Sequence, residues 1–200
     1  MKDWRLIYII FAKSEDKLYI SNKNRQAYFV LLSVCIIFVR INLKNCNVMF
    51  DKETYVQRRA LLKKNIGSGV LLFLGNDEQG LNYEDNAFRY RQDSTFLYYF
   101  GLSFAGLSAI IDIDEDKEII FGDELTIDHI VWMGTQPTLK EKSERVGIRE
   151  TLPSVAIISY LHKAVQKGQT VHYLPPYRPE HKLKLMDWLG IPPARQEGSV

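Results

Sequence analysis

Apolar and polar positions alternate along residues 49–200 in a way that predicts helices and strands in turn. An acidic start at Asp51, mixed apolar and basic positions and then Gly67 predict a helix over residues 51–66. A short apolar run bounded by glycines at residues 69–75 predicts a buried strand. Two β-branched runs separated by "EDK" predict a hairpin over residues 107–123.

Helical patterns dominate the rest of this segment. Residues 169–175 predict one further strand, closed by a pair of prolines. Strands that alternate with helices after a hairpin are typical of an α/β domain with a mixed β-sheet flanked by helices. The predicted helices cover residues 126–134, 138–148, 155–168 and 179–191.

The stretch "FRYRQDSTFLYYFGL" at residues 88–102 is unusually rich in aromatic residues. Asp93 and Ser94 are suited to cap a short helix that Gly101 ends. The aromatics can pack into a core, or Arg89 and Arg91 can stack on them to form a recognition surface. Composition alone favours the core interpretation.

The net positive charge and both cysteines of the chain lie in the first 48 residues. These carry eight Lys or Arg and three Asp or Glu, whereas residues 49–200 carry 18 and 21. The larger segment therefore lacks the basic excess typical of nucleic-acid binding, and we expect no nucleic-acid partner. Cys35 and Cys46 are the two cysteines of the chain, so residues 49–200 can form neither a disulfide nor a cysteine-based zinc site.

The apolar run Ala27–Val39 allows two interpretations of the first 48 residues. A spanning helix needs about 20 apolar residues, and this run ends at Arg40. An uncleaved membrane anchor remains the alternative. We favour a natural start at Met49, with residues 1–48 as an extension outside the folded domain, because composition and charge change near that residue.

Two stretches resemble ligand-binding motifs but lack required residues at the required positions. Asp112, Asp114 and Asp116 match the first ligands of an EF-hand loop, but Lys117 replaces the required glycine and Asp123 the bidentate glutamate. A solvated hairpin turn is the better interpretation. The glycines of "GSG" precede a strand instead of following one, so dinucleotide binding is rejected.

The four histidines do not have the spacing of a metal site. His129, His162, His172 and His181 never form an i, i+4 pair around a helical glutamate. We expect His162 and His181 on helix surfaces and His172 in or beside a strand.

The segment "RQDSTFLYYFGL" resembles the signature of the N-terminal domain of the Xaa-Pro aminopeptidases, in the creatinase and prolidase group of metallopeptidases. The resemblance continues through "VLLFLGN", "IIFGDELTIDHIVWMG" and "LPPYRPEHKLKL" to "WLGIPPAR". It covers residues 49–195 and leaves 196–200 as a tail. It implies the creatinase/prolidase N-terminal fold, which has a ribonuclease H-like motif.

The resemblance also implies a function. Full-length relatives remove an N-terminal residue that precedes proline, using a pita-bread catalytic domain whose two Asp, one His and two Glu hold two manganese ions. We expect that this chain lacks that domain, binds no cofactor itself and is inactive alone. We further expect a cytoplasmic homo-oligomer that does not bind membranes, with proline-containing peptides bound only in the full-length protein.

Individual residues follow from the position of the family motifs. Asp85 and Trp132 match positions that approach a neighbouring subunit's active site. Arg91, Gln92, Asp93 and Ser94 match the structural signature. The alternative function is a free-standing metal-dependent hydrolase that uses the carboxylates of Asp85, Asp93 and Asp123.

Overall fold

Helices and strands alternate in the computed structural model, which describes residues 50–83 and 86–196. The helices are α1 (Lys52–Ile66), α2 (Ser94–Phe100), α3 (Ile127–Met133), α4 (Leu139–Glu144), α5 (Ala156–Gln166) and α6 (Pro179–Leu189). The strands are β1 (Val70–Leu74), β2 (Ser108–Asp112), β3 (Lys117–Phe121), β4 (Glu150–Leu152) and β5 (Val171–Tyr173). A short 3₁₀ helix, Pro193–Arg195, follows α6.

The element pattern agrees with the sequence prediction except near β4. The helix predicted over residues 138–148 ends at Glu144, and β4 was not predicted. With three residues, this strand is too short to show the alternation from which strands are recognised. Its pairing with β3 defines it instead, through the register that places Ile119 opposite Glu150.

The strands form a mixed sheet in the order β4-β3-β2-β1-β5. Strand β2 is antiparallel to both β1 and β3, whereas β5 is parallel to β1 and β4 is parallel to β3. Four of these strands therefore run in the same direction. Their carboxyl ends meet at one edge of the sheet.

Helices cover both faces of the sheet, so the predicted α/β fold class is confirmed. On β1, Leu71 and Phe73 belong to one core cluster, and Val70 and Leu72 belong to the other, because successive side chains of a strand point to opposite faces. Helices α1, α2 and α4 contribute to the first cluster, and α5 and α6 to the second. Burial of each large apolar side chain stabilises the fold by about 1.5–3 kcal/mol.

A buried arginine connects the elements on the first face. The Arg59 side chain of α1 is fully buried. Its Nε donates to Glu118 of β3 at 2.8 Å, and its two terminal nitrogens donate to the carbonyl oxygens of Tyr99 and Val146, each at 2.9 Å. The planar guanidinium thus satisfies acceptors from three separate parts of the chain.

The described residues all belong to one compact unit. Among the helices of the described ranges, none combines the length and the apolar character that crossing a membrane requires. The apolar run Ala27–Val39 lies outside these ranges.

Candidate functional site at the carboxyl edge of the sheet

The carboxyl edge of the sheet gathers loops that carry polar residues. Asn76 and Asp77 follow β1, Asp123 follows β3 and Ser154 follows β4. Ligands of open α/β sheets bind outside the carboxyl ends of the strands, in crevices between the loops. Among the described residues, two clefts lie at this edge, and α6 contributes residues to both.

The first cleft, of about 150 Å³, lies between the start of α2 and the start of α6. Its walls are mostly apolar. The polar groups that line it are Asp93, Thr95, Tyr173 and His181. The Tyr173 hydroxyl is buried without a hydrogen-bond partner among the described residues. The remaining residues that line the first cleft are Leu72, Phe73, Leu74, Leu174, Pro175, Pro176 and Tyr177.

His181 is buried in the first cleft, so the prediction of a surface histidine is wrong. Its side chain is only 5% exposed, on the same side of α6 as the fully buried Leu185, because residues four apart share a helix face. Its Nε2 lies 3.1 Å from the Gly75 carbonyl oxygen, which can only accept, so Nε2 carries the hydrogen. Burial lowers the pKa of His181, and the Gly75 carbonyl partly offsets this effect.

The second cleft, of about 350 Å³, lies between β3 and α6. Lys184 forms an ion pair with Asp77 at 2.8 Å. Asp123 accepts from the Ser154 backbone N–H at 3.0 Å and from the Ser154 hydroxyl at 2.6 Å. Both carboxylates therefore already bind donors of the protein. The other lining residues are Gly106, Ser108, Phe121, Val155, Ile158 and Trp188.

The signature residues join the end of β1 to the start of α2. The buried Gln92 side chain accepts from the backbone N–H of Asn76 at 2.7 Å and of Asp93 at 2.9 Å, and it donates to the Phe104 carbonyl at 2.7 Å. Each bond joins the Gln92 side chain to a backbone group, and two of the three reach other parts of the chain, at Asn76 and Phe104. Gln92 therefore holds the wall of the first cleft in place.

The other three signature residues, Arg91, Asp93 and Ser94, have different structural roles. One carboxylate oxygen of Asp93 accepts from the backbone N–H groups of Thr95 and Phe96, at 2.8 and 3.0 Å, which is the predicted helix cap. The Arg91 carbonyl accepts from the Asn76 side chain at 2.8 Å. Ser94 is the exposed first residue of α2.

The aromatic residues of the signature divide between core and surface. Phe96 and Phe100 are fully buried, as the core interpretation predicted. Tyr98 is half exposed, and the guanidinium that stacks on it is that of Arg58, 4.0 Å from the ring centroid. Within the described residues, neither arginine of the stretch itself stacks on an aromatic ring.

The predicted site residues that the structure describes lie at separate places. Trp132 lies on α3 with 87% of its side chain exposed and lines neither cleft. Asp85 lies outside the described residues. Asp93 and Asp123, two carboxylates of the alternative metal site, line different clefts.

Other candidate ligand groups are also engaged locally. Asp112 accepts from the Glu115 backbone and Asp114 from the Gly69 backbone, both at 3.0 Å, so the aspartate-rich stretch is a hairpin turn as predicted. Throughout the part of the chain that the structure describes, no group of three or more His, Cys, Asp or Glu side chains could hold a metal ion. The sequence analysis did not identify Arg59 or the Lys184–Asp77 ion pair. In both cases the bonded groups lie far apart in the sequence.

Comparison with known proteins identifies relatives of this domain. Residues 55–173 match the family described as "Aminopeptidase P, N-terminal domain". A probable Xaa-Pro aminopeptidase of Chaetomium globosum is 30% identical over 112 residues, which cover 54% of this chain and 18% of that protein. The human Xaa-Pro dipeptidase is 33% identical over 90 residues, which cover 44% of this chain and 18% of the dipeptidase.

Solved structures share the fold at low identity. Aminopeptidase PepP of Pseudomonas aeruginosa superposes with a TM-score of 0.61 at 20% identity, over 72% of this chain and 33% of its own. Proline aminopeptidase P II of Yersinia pestis superposes with a TM-score of 0.60 at 16% identity, over 70% and 33%. This chain therefore spans a minor part of the proteins it matches.

Proposed function

Because this chain belongs to the family of aminopeptidase P N-terminal domains, we propose that it is the non-catalytic N-terminal domain of a Xaa-Pro aminopeptidase. In this proposal, the domain contributes to homo-oligomer formation and borders the active site of a neighbouring subunit. The exposed apolar surface of α3 is the observation that carries the assembly role.

The surface of α3 has the character of an interface. Ile127, Val131 and Trp132 all expose most of their side chains within a helix of seven residues. Large apolar groups that lie this close together on a surface are typical of protein contact sites. Tryptophan is also enriched among the residues that dominate binding free energy, because it buries a large area with few rotatable bonds.

The proposed active-site role concerns Trp132 and Asp85. In an assembled protein, the indole of Trp132 would exclude water from a neighbouring subunit's cleft, which strengthens electrostatic contacts to the substrate. The carboxylate of Asp85 would bind the free α-amine of a peptide or an arginine. Proline-containing peptides would be the substrates of the whole protein.

The described residues do not fit a manganese site of their own. The carboxylates of Asp93 and Asp123 line different clefts, and both already accept hydrogen bonds from the protein. We therefore propose that the two manganese ions of the family reaction belong to a catalytic domain outside these residues. The absence of cysteine from residues 49–200 suits the reducing cytoplasm, where we propose that the protein acts.

Two measurements on the purified chain test the proposal. Incubated with Xaa-Pro peptides and manganese, it should release no free amino acid, whereas turnover would contradict the non-catalytic assignment. Light scattering after size-exclusion chromatography should show a homo-oligomer.

Substitution on α3 tests the assembly surface. Trp132→Ala should weaken association by about 30-fold, since interface tryptophans commonly contribute about 2 kcal/mol or more. Leu61→Ala is the matched control, because Leu61 is an exposed apolar residue on α1. A monomeric wild-type chain, or equal effects of the two substitutions, would contradict the role of α3.

A further inference from the structure

The segment between β5 and α6 has the sequence Leu174-Pro175-Pro176-Tyr177 and forms neither helix nor strand. We propose that this segment is a docking site for a WW-type domain, a module that recognises extended peptides in which tyrosine stands two residues after proline. The inference is independent of the proposed function. It rests on the backbone constraints, the exposure and the order of these four residues.

The backbone of the segment is held extended by its prolines. A proline ring confines φ to about −65° and excludes the helical region for the residue before it. Leu174, Pro175 and Arg178 all precede a proline, and Arg178 is extended at φ −86° and ψ 138°. Leu174 and Pro175 are therefore confined to the extended range that includes polyproline II, so a partner loses little binding free energy in ordering them.

The side chains of the segment are arranged as a ligand surface. Polyproline II has three residues per turn, so Leu174 and Tyr177 lie on one edge of the segment. Leu174 is 59% exposed and Tyr177 71% exposed, and Pro175 is also exposed. Pro176 is buried and lines the first cleft. The inward proline anchors the segment to the domain, whereas Leu174, Pro175 and Tyr177 border the same cleft and keep exposed surface that a partner could contact.

The pattern of exposure distinguishes between two kinds of partner. Both SH3 and WW domains bind polyproline II segments in grooves lined by aromatic residues. An SH3 domain reads two prolines three residues apart, here Pro176 and Pro179, but Pro176 is buried and Pro179 is the first residue of α6. A WW domain of the proline-tyrosine class reads Pro175 and Tyr177, which are both exposed. The geometry therefore favours the WW type.

Calorimetric titration of the intact chain with a recombinant WW domain of this class tests the proposal. We expect saturable binding that Tyr177→Ala weakens by about tenfold or more, since aromatic anchors dominate such interfaces. Pro175→Ala should weaken it similarly. Tyr83→Ala is the matched control, because Tyr83 is a similarly exposed tyrosine at 62% and should leave affinity unchanged.

Three other outcomes of this experiment would overturn the proposal. It fails if the WW domain does not bind at protein concentrations up to about 1 mM, where even weak specific complexes form. It also fails if Tyr177→Ala and Tyr83→Ala behave alike, or if an SH3 domain binds the chain and the WW domain does not. Circular dichroism of each variant, compared with the wild type, separates a loss of contact from a loss of fold.

Discussion

Replacing Arg59 with methionine should be among the most damaging single changes in this domain. Methionine keeps an unbranched apolar stem but removes the guanidinium that bonds to Glu118 and to the carbonyls of Tyr99 and Val146. Glu118 retains an ion pair with Lys63 at 3.0 Å, so it is not left without a partner. The two carbonyl oxygens lose the donors that Arg59 supplies.

The expected magnitude follows from these contacts. A polar group left unsatisfied by burial costs about 1–3 kcal/mol, and breaking a buried charge pair about 3–5 kcal/mol. Because Glu118 keeps Lys63 as an ion-pair partner, the loss comes mainly from the two carbonyl oxygens, and we expect Arg59→Met to lower the free energy of unfolding by about 2–6 kcal/mol. For a domain of about 150 residues, this corresponds to a Tm lower by roughly 10 °C.

The adjacent arginine provides the matched control. Arg58 is at the surface, stacks on Tyr98 at 4.0 Å and donates to the Tyr98 carbonyl at 2.8 Å. Exposed contacts of this kind contribute about 1 kcal/mol, so Arg58→Met should be mild. Arg59→Lys should resemble Arg59→Met, since one ammonium group cannot reproduce the planar fork.

Urea unfolding followed by far-ultraviolet circular dichroism measures the difference. The midpoint should fall much further for Arg59→Met than for Arg58→Met, with the slope m unchanged. Free energies of unfolding that differ by less than about 1 kcal/mol between the two variants would refute the reasoning, because that is the scale of an exposed contact. The bonds made by Arg59 would then contribute no more than a surface pair.

Two further predictions concern pH and backbone geometry. Burial lowers the pKa of His181 below its ordinary value of 6.5, so the unfolded chain binds a proton more readily than the folded chain. The free energy of unfolding should therefore have its full value above about pH 6.5 and decrease as the pH falls below it. Unfolding of His181→Gln, measured over the same pH series, should depend less steeply on pH, and identical slopes would contradict this assignment. Gly101→Ala should destabilise the domain much more than Gly190→Ala in thermal melts. Both glycines end helices at similar positive φ, of 64° and 68°. An added Cβ at Gly101 would lie 2.3 Å from the Tyr55 ring, whereas nothing lies within 4 Å of one at Gly190. Equal melting temperatures for the two glycine variants would show that the ring moves aside.

Most elements of the fold could be predicted because their signals are local. The cap at Asp93 and the left-handed glycine at Gly101 bound α2 within a few residues of each other. Strand β4 was missed because pairing with β3, not its own three residues, defines it. The site was harder to predict: Trp132 could be placed on a helix, but its exposure depends on what packs against that helix.

The interior positions of His181 and Arg59 show the same limit. Both lie on helices that place charged residues on several sides, so the sequence alone does not reveal which side faces the sheet. Packing against the sheet selected one side in each case. As a result, His181 is buried although it was expected at the surface, and Arg59 is buried although no sequence pattern distinguishes it from Arg58.

By itself, the sequence determined the alternation of helices and strands, the caps that bound them and the family signature. All of these depend on residues within about one or two helical turns of each other. Only the tertiary structure decided that Arg58 stacks on Tyr98, that Arg59 joins α1 to β3, and that Pro176 faces inward while Tyr177 faces out. The physical reason is that these contacts join residues brought together by strand order and helix packing, which no local pattern encodes.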